Sequence, residues 1–128
     1  MKRALVTGAA TLIAKQSIVK LLEAGWWVVA VSQRPPIINN AEQYHTHEID
    51  EHGVSVSIPR YHWHAMDLSD DRFRYALANA VRHQPIDLLV HCSLPTLRDS
   101  VLSALGEYAA DARVLSGFEF LHRGSDDE

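Results

Sequence analysis

Residues 4–14, which read ALVTGAATLIA, decide the fold. A short apolar run over residues 4–6 ends at Thr7 and Gly8, and apolar residues then recur with the 3.6-residue period of a helix as far as Gly25. The pattern predicts a buried β-strand, a tight turn of small residues and an amphipathic α-helix.

Three further segments predict strands of the same sheet. Residues 27–31 are apolar and uncharged without alternation, which is typical of a parallel strand covered on both faces. Residues 61–66 and 86–91 are the other two predicted strands. Residues 54–58 alternate apolar and polar, which indicates an edge strand or an extended approach to the sheet.

Four more helices are predicted in the rest of the chain. A short exposed helix is expected within residues 41–52, and the next helix begins at a Ser69 cap, with acidic residues in its first turn. Another begins at Thr96 or Asp99, and a last short helix covers residues 112–122.

This order of elements predicts the architecture. Strands that alternate with helices pair in parallel through right-handed crossovers, which gives a three-layer α/β sandwich with a Rossmann-like sheet and the strand order 3-2-1-4. We expect a single domain over residues 1–122 and an acidic tail over residues 123–128. In such a sheet, ligands bind beyond the carboxyl ends of strands 1 and 4, where the strand order reverses.

Composition excludes several classes of protein. The 128 residues carry 12 Lys and Arg against 16 Asp and Glu, a net charge of −4, with no basic run that would bind nucleic acid. No uncharged stretch approaches the roughly 20 residues that a membrane helix needs, so no membrane partner is expected. The single cysteine, Cys92, fits a reducing compartment, and a cytoplasmic location is the default.

The turn after the first strand suits a phosphate group. Gly8, Thr11, Leu12 and Ile13 lead into a helix N-terminus, where unpaired N–H groups and the helix dipole attract anions. Turns with one glycine are also common where no nucleotide binds, so the turn alone leaves both possibilities open.

Polar residues also follow the second and third strands. Ser32, Gln33 and Arg34 offer a hydroxyl, an amide and a guanidinium to a ribose 2′-phosphate, at a place where NAD-binding sites usually carry an acid. The alternative for Arg34 is a solvated loop charge. Asp67 either accepts a hydrogen bond from an adenine amino group or caps the next helix.

Four segments match, in order and spacing, the pattern of a known family: residues 3–10, 28–32, 66–70 and 86–90. Through them the chain resembles the N-terminal half of the short-chain dehydrogenase/reductase family, over residues 2–95 and on to residues 115–118. The resemblance implies a fold that binds a dinucleotide and an oxidoreductase ancestry. It also implies that Leu68, Cys92 and Ser93 lie beside the cofactor.

The chain departs from the family where the cofactor would lie. Leu12 and Ala14 stand at positions where the family carries glycines, and a leucine at position 12 is expected to fill space that the pyrophosphate needs. Residues 91–94 read HCSL in place of the family's Asn-Asn-Ala-Gly. We therefore expect weak binding of NADP.

The family's catalytic residues are missing from this sequence. None of the four tyrosines is followed four positions later by a lysine, and the only lysines are Lys2, Lys15 and Lys20. The sequence thus predicts no catalysis by this chain alone, and whether it belongs to an enzyme stays open. The alternative is an interaction or regulatory module that kept the fold and lost the cofactor.

Two histidine pairs are possible metal ligands. His45 and His47, and likewise His62 and His64, lie two residues apart and would face the same way on a strand. A zinc site needs at least a third ligand, so we favour the interpretation of polar surface and expect no metal.

A four-stranded sheet would leave its fourth strand at an edge. Leu88, Leu89 and Val90 would then expose unpaired backbone groups with no charge to discourage pairing, and the C-terminal helices carry further apolar residues. We expect a homodimer, or pairing with another chain, through strand 4 or those helices.

Overall fold

The computed structural model describes residues 1–123, and residues 124–128 of the predicted acidic tail lie outside the described residues. The elements are β1 (Arg3–Thr7), α1 (Leu12–Glu23), β2 (Trp27–Ser32), β3 (His45–Ile49), β4 (Ser55–Pro59), β5 (Tyr61–Ala65), α2 (Phe73–Ala80), β6 (Leu88–His91), α3 (Arg98–Leu105), β7 (Arg113–Ser116) and α4 (Gly117–Arg123). None of the helices in residues 1–123 is long and apolar enough to cross a membrane.

The main sheet has five parallel strands in the order β5-β2-β1-β6-β7. The Rossmann-like α/β fold is confirmed, and the four strands that the sequence predicts are neighbours as expected. The predicted order 3-2-1-4 is nevertheless incomplete, because β7 pairs with β6 and extends the sheet. Strand β6 is therefore an inner strand, which removes the exposed edge on which the expected pairing through strand 4 depended.

The helix predicted over residues 112–122 is wrong in its first half. Residues 113–116 form β7, and α4 begins only at Gly117. The backbone N–H of Ser116 donates to Glu119 Oε1 at 3.0 Å, and the backbone N–H of Glu119 donates to Ser116 Oγ at 3.1 Å. This reciprocal capping box fixes the start of α4, and the Ser-x-x-Glu spacing was the signal for it.

The helix predicted within residues 41–52 is also wrong. Only Ala41–Gln43 form a short 3₁₀ turn, and β3 pairs antiparallel with β4 in a separate two-stranded sheet. The hairpin turn is held by Asp50, whose Oδ1 accepts the backbone N–H groups of His52 and Val54 at 2.9 Å each. Residues 54–58 contribute a strand as expected, but its partner is β3 and not the main sheet.

Helices cover both faces of the main sheet and form two cores. On one face α1 packs against α4, with Ile18, Leu21 and Phe120 buried between them and the sheet. On the other face α2 packs against α3 through residues such as Leu77 and Val101. Every strand that carries a candidate site residue is thus fixed from both sides.

Candidate functional site

Two adjoining clefts open at the carboxyl ends of the parallel strands. The first cleft, about 460 Å³, lies at the ends of β1, β2, β5 and β6. The second cleft, about 630 Å³, lies between the start of α1, the end of β6 and the junction of β7 with α4. They share Thr11, Cys92 and Ser93, which form the wall between them.

The eleven residues that the sequence nominates all line one of these clefts. Those in the first cleft are Gly8, Thr11, Ser32, Gln33, Arg34, Asp67, Leu68, Cys92 and Ser93. Leu12 and Ile13 line the second cleft together with the three shared residues. Parallel pairing explains the clustering, since it brings the carboxyl ends of separate strands to one edge of the sheet.

Gly8 is required by the contact between two loops. Its φ is +62°, and a Cβ added there would lie 2.7 Å from both the carbonyl carbon and oxygen of Cys92 and 2.9 Å from the nitrogen of Ser93. Only glycine permits this close approach of the β1–α1 turn to the segment after β6. The glycine therefore positions the floor of the first cleft.

Thr11 caps α1 at the mouth of the clefts. The backbone N–H of Ala14 donates to Thr11 Oγ1 at 3.2 Å, and the Thr11 hydroxyl donates to the carbonyl oxygen of Gly8 at 3.1 Å. The N–H groups of Leu12 and Ile13 belong to the first helical turn, which has no partners within the helix. They are the donors that this turn presents to an anion.

The Leu12 side chain points away from the first cleft. It is 66% exposed and lines the second cleft and a groove along α1. A ligand that extends from the first cleft past Thr11 would therefore meet the Leu12 side chain.

Ser32 is already engaged within the protein. Its hydroxyl donates to the carbonyl oxygen of Arg34 at 2.5 Å, and its oxygen accepts Trp63 Nε1–H at 3.0 Å. The proton that was expected to contact a 2′-phosphate thus holds the turn after β2. Gln33 and Arg34 remain exposed, and no described residue hydrogen-bonds to the Arg34 guanidinium.

Asp67 forms a local turn at the end of β5. Its Oδ1 accepts the backbone N–H of Ser69 at 2.9 Å and the Ser69 hydroxyl at 2.6 Å. Helix α2 begins later, at Phe73, so the expected Ser69 cap is wrong. The neighbouring Leu68 is only 8% exposed and packs in the core beneath the cleft.

A buried network that sequence reasoning missed fixes the wall between the clefts. Thr7 Oγ1 lies 2.8 Å from His91 Nδ1 and accepts the backbone N–H of Cys92 at 3.2 Å, while His91 Nε2 lies 2.8 Å from the carbonyl oxygen of Leu94. A carbonyl only accepts, so the His91 Nε2 carries a proton, and in the neutral form of the ring the Thr7 hydroxyl donates to Nδ1. The signal in the sequence was a histidine at the last position of an apolar strand.

Cys92 is packed too tightly to be a reactive thiol. Burial raises its pKa to about 11, against the opposing effect of a hydrogen bond from the backbone N–H of Gly117. A Cβ on Gly117 would lie 2.6 Å from Cys92 Sγ and would also collide with Ile13. Gly117 therefore lets α4 close onto the floor of the second cleft.

The histidine pairs lie on separate sheets. His45 and His47 are on β3, and His62 and His64 are on β5. Burial lowers the pKa of His62, and the neighbouring charges of Arg82, His64 and Arg3 lower it further. Within residues 1–123 no three His, Cys, Asp or Glu side chains come together as a metal site requires.

Solved short-chain dehydrogenase/reductase structures share this fold. A short chain dehydrogenase family protein from Francisella tularensis has a TM-score of 0.64 over 91% of this chain and 50% of that chain, at 11% identity. A short chain dehydrogenase/reductase from Saccharomyces cerevisiae has a TM-score of 0.62 over 91% and 53%, at 22% identity. Yeast methylglyoxal/isovaleraldehyde reductase complexed with NADPH has a TM-score of 0.59 over 89% and 36%, at 18% identity.

The chain thus spans about half the length of the first two structures. At these identities the likeness establishes the fold, and at that level the resemblance to short-chain dehydrogenases/reductases is confirmed. The sequence itself matches no protein-family model and no curated protein.

Proposed function

We propose that the first cleft binds the adenosine end of a nicotinamide dinucleotide and prefers NADP to NAD. The observation that carries the proposal is the exposed Arg34 guanidinium at the carboxyl end of β2, beside Gln33 and without an acidic neighbour in the cleft lining except Asp67. A guanidinium matches a phosphate with paired hydrogen bonds, whereas a free ribose 2′-hydroxyl is better met by a carboxylate. One related structure was solved with NADPH, which is consistent with this ligand class.

Binding is proposed to be weak. Ser32 cannot donate to a phosphate without giving up the Arg34 carbonyl, and Leu12 extends into the space next to the first cleft. The phosphate groups of the ligand would then be bound by Arg34, Gln33 and the first-turn N–H groups of α1. We also propose a cytoplasmic location, on the basis of the single free cysteine, which is half-buried.

Catalysis by this chain alone is not proposed. The Tyr61 hydroxyl is buried without a hydrogen-bond partner, and burial raises its pKa to about 12. Lys20 Nζ donates to the carbonyl oxygen of Phe120 and lies over that ring, away from both clefts. Neither residue is placed to exchange a proton with a ligand at the carboxyl ends of the strands.

Calorimetric titration with NADPH and NADH tests the proposal. We expect NADPH to bind about tenfold more tightly, and Arg34→Gln to remove most of that difference. The matched control is Arg74→Gln, on the exposed side of α2 and outside both cleft linings. Tighter binding of NADH, or a preference unchanged by Arg34→Gln, would overturn it.

The second candidate function is an interaction module, favoured by the position of β7 as the outermost strand of the sheet within the described residues and by the exposed Phe118 next to it. Pairing between copies would then use β7 and α4, because β6 is an inner strand. Sedimentation at tens of micromolar should show a dimer if this function is right. A monomer that binds neither dinucleotide would contradict both candidate functions.

A further inference from the structure

The second cleft differs in character from the first and lies outside the lining that the adenosine end of a dinucleotide is proposed to occupy. Its walls carry the apolar side chains of Leu12, Ile13, Pro95, Leu115 and Phe118. Leu12 is 66% exposed, Phe118 62% and Ile13 41%. Water-exposed apolar surface that converges on a concave site is what an apolar ligand covers with a gain in free energy.

Most polar groups of the second cleft are already satisfied. His91 bonds to Thr7 and to the Leu94 carbonyl, and the Cys92 thiol accepts the Gly117 N–H. Ser116 and Glu119 bind each other in the capping box of α4. These groups are poor partners for a ribose or an amide, since a ligand would have to break an existing hydrogen bond to use them.

Arg98 is the cationic side chain of this lining. It begins α3 and lines the cleft, and its exposed guanidinium has no hydrogen bond or ion pair with any residue of the described chain. The lining also contains one acid, Glu119, whose Oε1 is held by the Ser116 N–H. A free guanidinium beside an apolar wall is complementary to a carboxylate that carries an apolar body.

We propose that the second cleft binds a small apolar carboxylate, with its ring or chain against Phe118 and Leu12 and its carboxylate on Arg98. The proposal does not rest on nucleotide binding in the first cleft. The acid and the imidazole that line the cleft, Glu119 and His91, are both engaged by other groups of the described chain, so the proposed role of the cleft is binding.

The test compares 2-naphthoate with its neutral counterpart, 2-naphthamide, by fluorescence titration of the full chain. Naphthoate should bind about tenfold more tightly than the amide. Arg98→Gln should remove that preference and leave amide binding unchanged. Phe118→Ala should weaken both probes, by about fivefold.

Two matched variants control for non-specific binding. Arg74→Gln removes an exposed guanidinium and Tyr75→Ala an exposed ring, both on α2 and outside the lining of the second cleft. Both should bind the two probes as the parent protein does. All four substitutions change exposed side chains, so unchanged urea midpoints are expected and verify folding.

Several results would overturn the proposal. Equal affinity for acid and amide would remove Arg98 from the site, and weakening by the α2 variants would show surface adsorption. Binding of neither probe up to about 1 mM would mean that the cleft holds no such ligand. None of these outcomes depends on NADPH, so failure here is separable from failure in the first cleft.

Discussion

The two clefts share a wall but present opposite chemistry. The first cleft exposes two side chains, Gln33 and Arg34, at the end of a buried strand, and no hydrogen bond joins them to another side chain in residues 1–123. In the second cleft the polar groups are largely tied up and the apolar side chains are exposed. The comparison shows that a position at the carboxyl end of a strand does not define a site. A binding site also requires polar groups that are not already hydrogen-bonded to other parts of the protein.

The largest expected effect is a loss of stability from a substitution that disturbs the wall shared by the two clefts. Gly8→Ala should lower the free energy of unfolding by about 3 kcal/mol, because the new Cβ meets backbone atoms of Cys92 that cannot move away easily. Urea titration measures the loss.

Gly53→Ala is the matched control for that variant. Gly53 also has positive φ, +76°, but nothing lies within 4 Å of an added Cβ, so only the backbone cost of about 1 kcal/mol is expected. Equal losses in the two variants would show that the contact with the segment after β6 is unimportant.

The shared wall also sets the reactivity of its thiol. With a pKa of about 11, Cys92 should be alkylated by iodoacetamide at pH 8 more than about a hundredfold slower than an ordinary thiol, and the rate should rise with pH up to about 11. Peptide-resolved mass spectrometry of a Tyr75→Cys variant provides an exposed reference in the same chain. Similar rates at both cysteines would mean that Cys92 is open to solvent from one of the clefts.

Much of this arrangement follows from the sequence. Strands β1, β2 and β6 are apolar runs because both faces are covered, and that pattern is legible in a single sequence. Strand β7 escaped prediction, since Arg113 and Ser116 leave only two apolar residues between them. The β3–β4 hairpin is largely exposed, so burial imposes no strong alternation on residues 45–49.

The residues of the first cleft were predictable because the carboxyl ends of parallel strands meet at one edge of the sheet. The sequence does not reveal which hydroxyls and rings the protein uses itself, because those bonds join residues far apart in the chain. Thr7 and His91 are 84 positions apart, and Ser32 and Trp63 are 31 apart. The second cleft was not predicted either, because it forms where β7 and α4 pack beside the start of α1, about 100 positions earlier in the chain.

A smaller effect, on NADPH affinity, tests whether the two clefts contact different parts of a ligand. Leu12→Gly should strengthen NADPH binding about fivefold, or 1 kcal/mol, because it clears space beyond Thr11. Adenosine 2′,5′-bisphosphate, which needs only the first cleft, should bind as before. Leu12→Ala is the control for the added flexibility of glycine at the start of α1. Unchanged NADPH affinity would contradict the steric role of Leu12.

The most direct test of the central claim is a titration with adenosine 2′,5′-bisphosphate followed by amide chemical shifts. We expect shifts at Gly8, Thr11 and residues 32–34, with none at Arg98 or Phe118. A response at Arg98 and Phe118, or no response at residues 32–34, would contradict the division of the site into a phosphate-binding first cleft and an apolar second cleft.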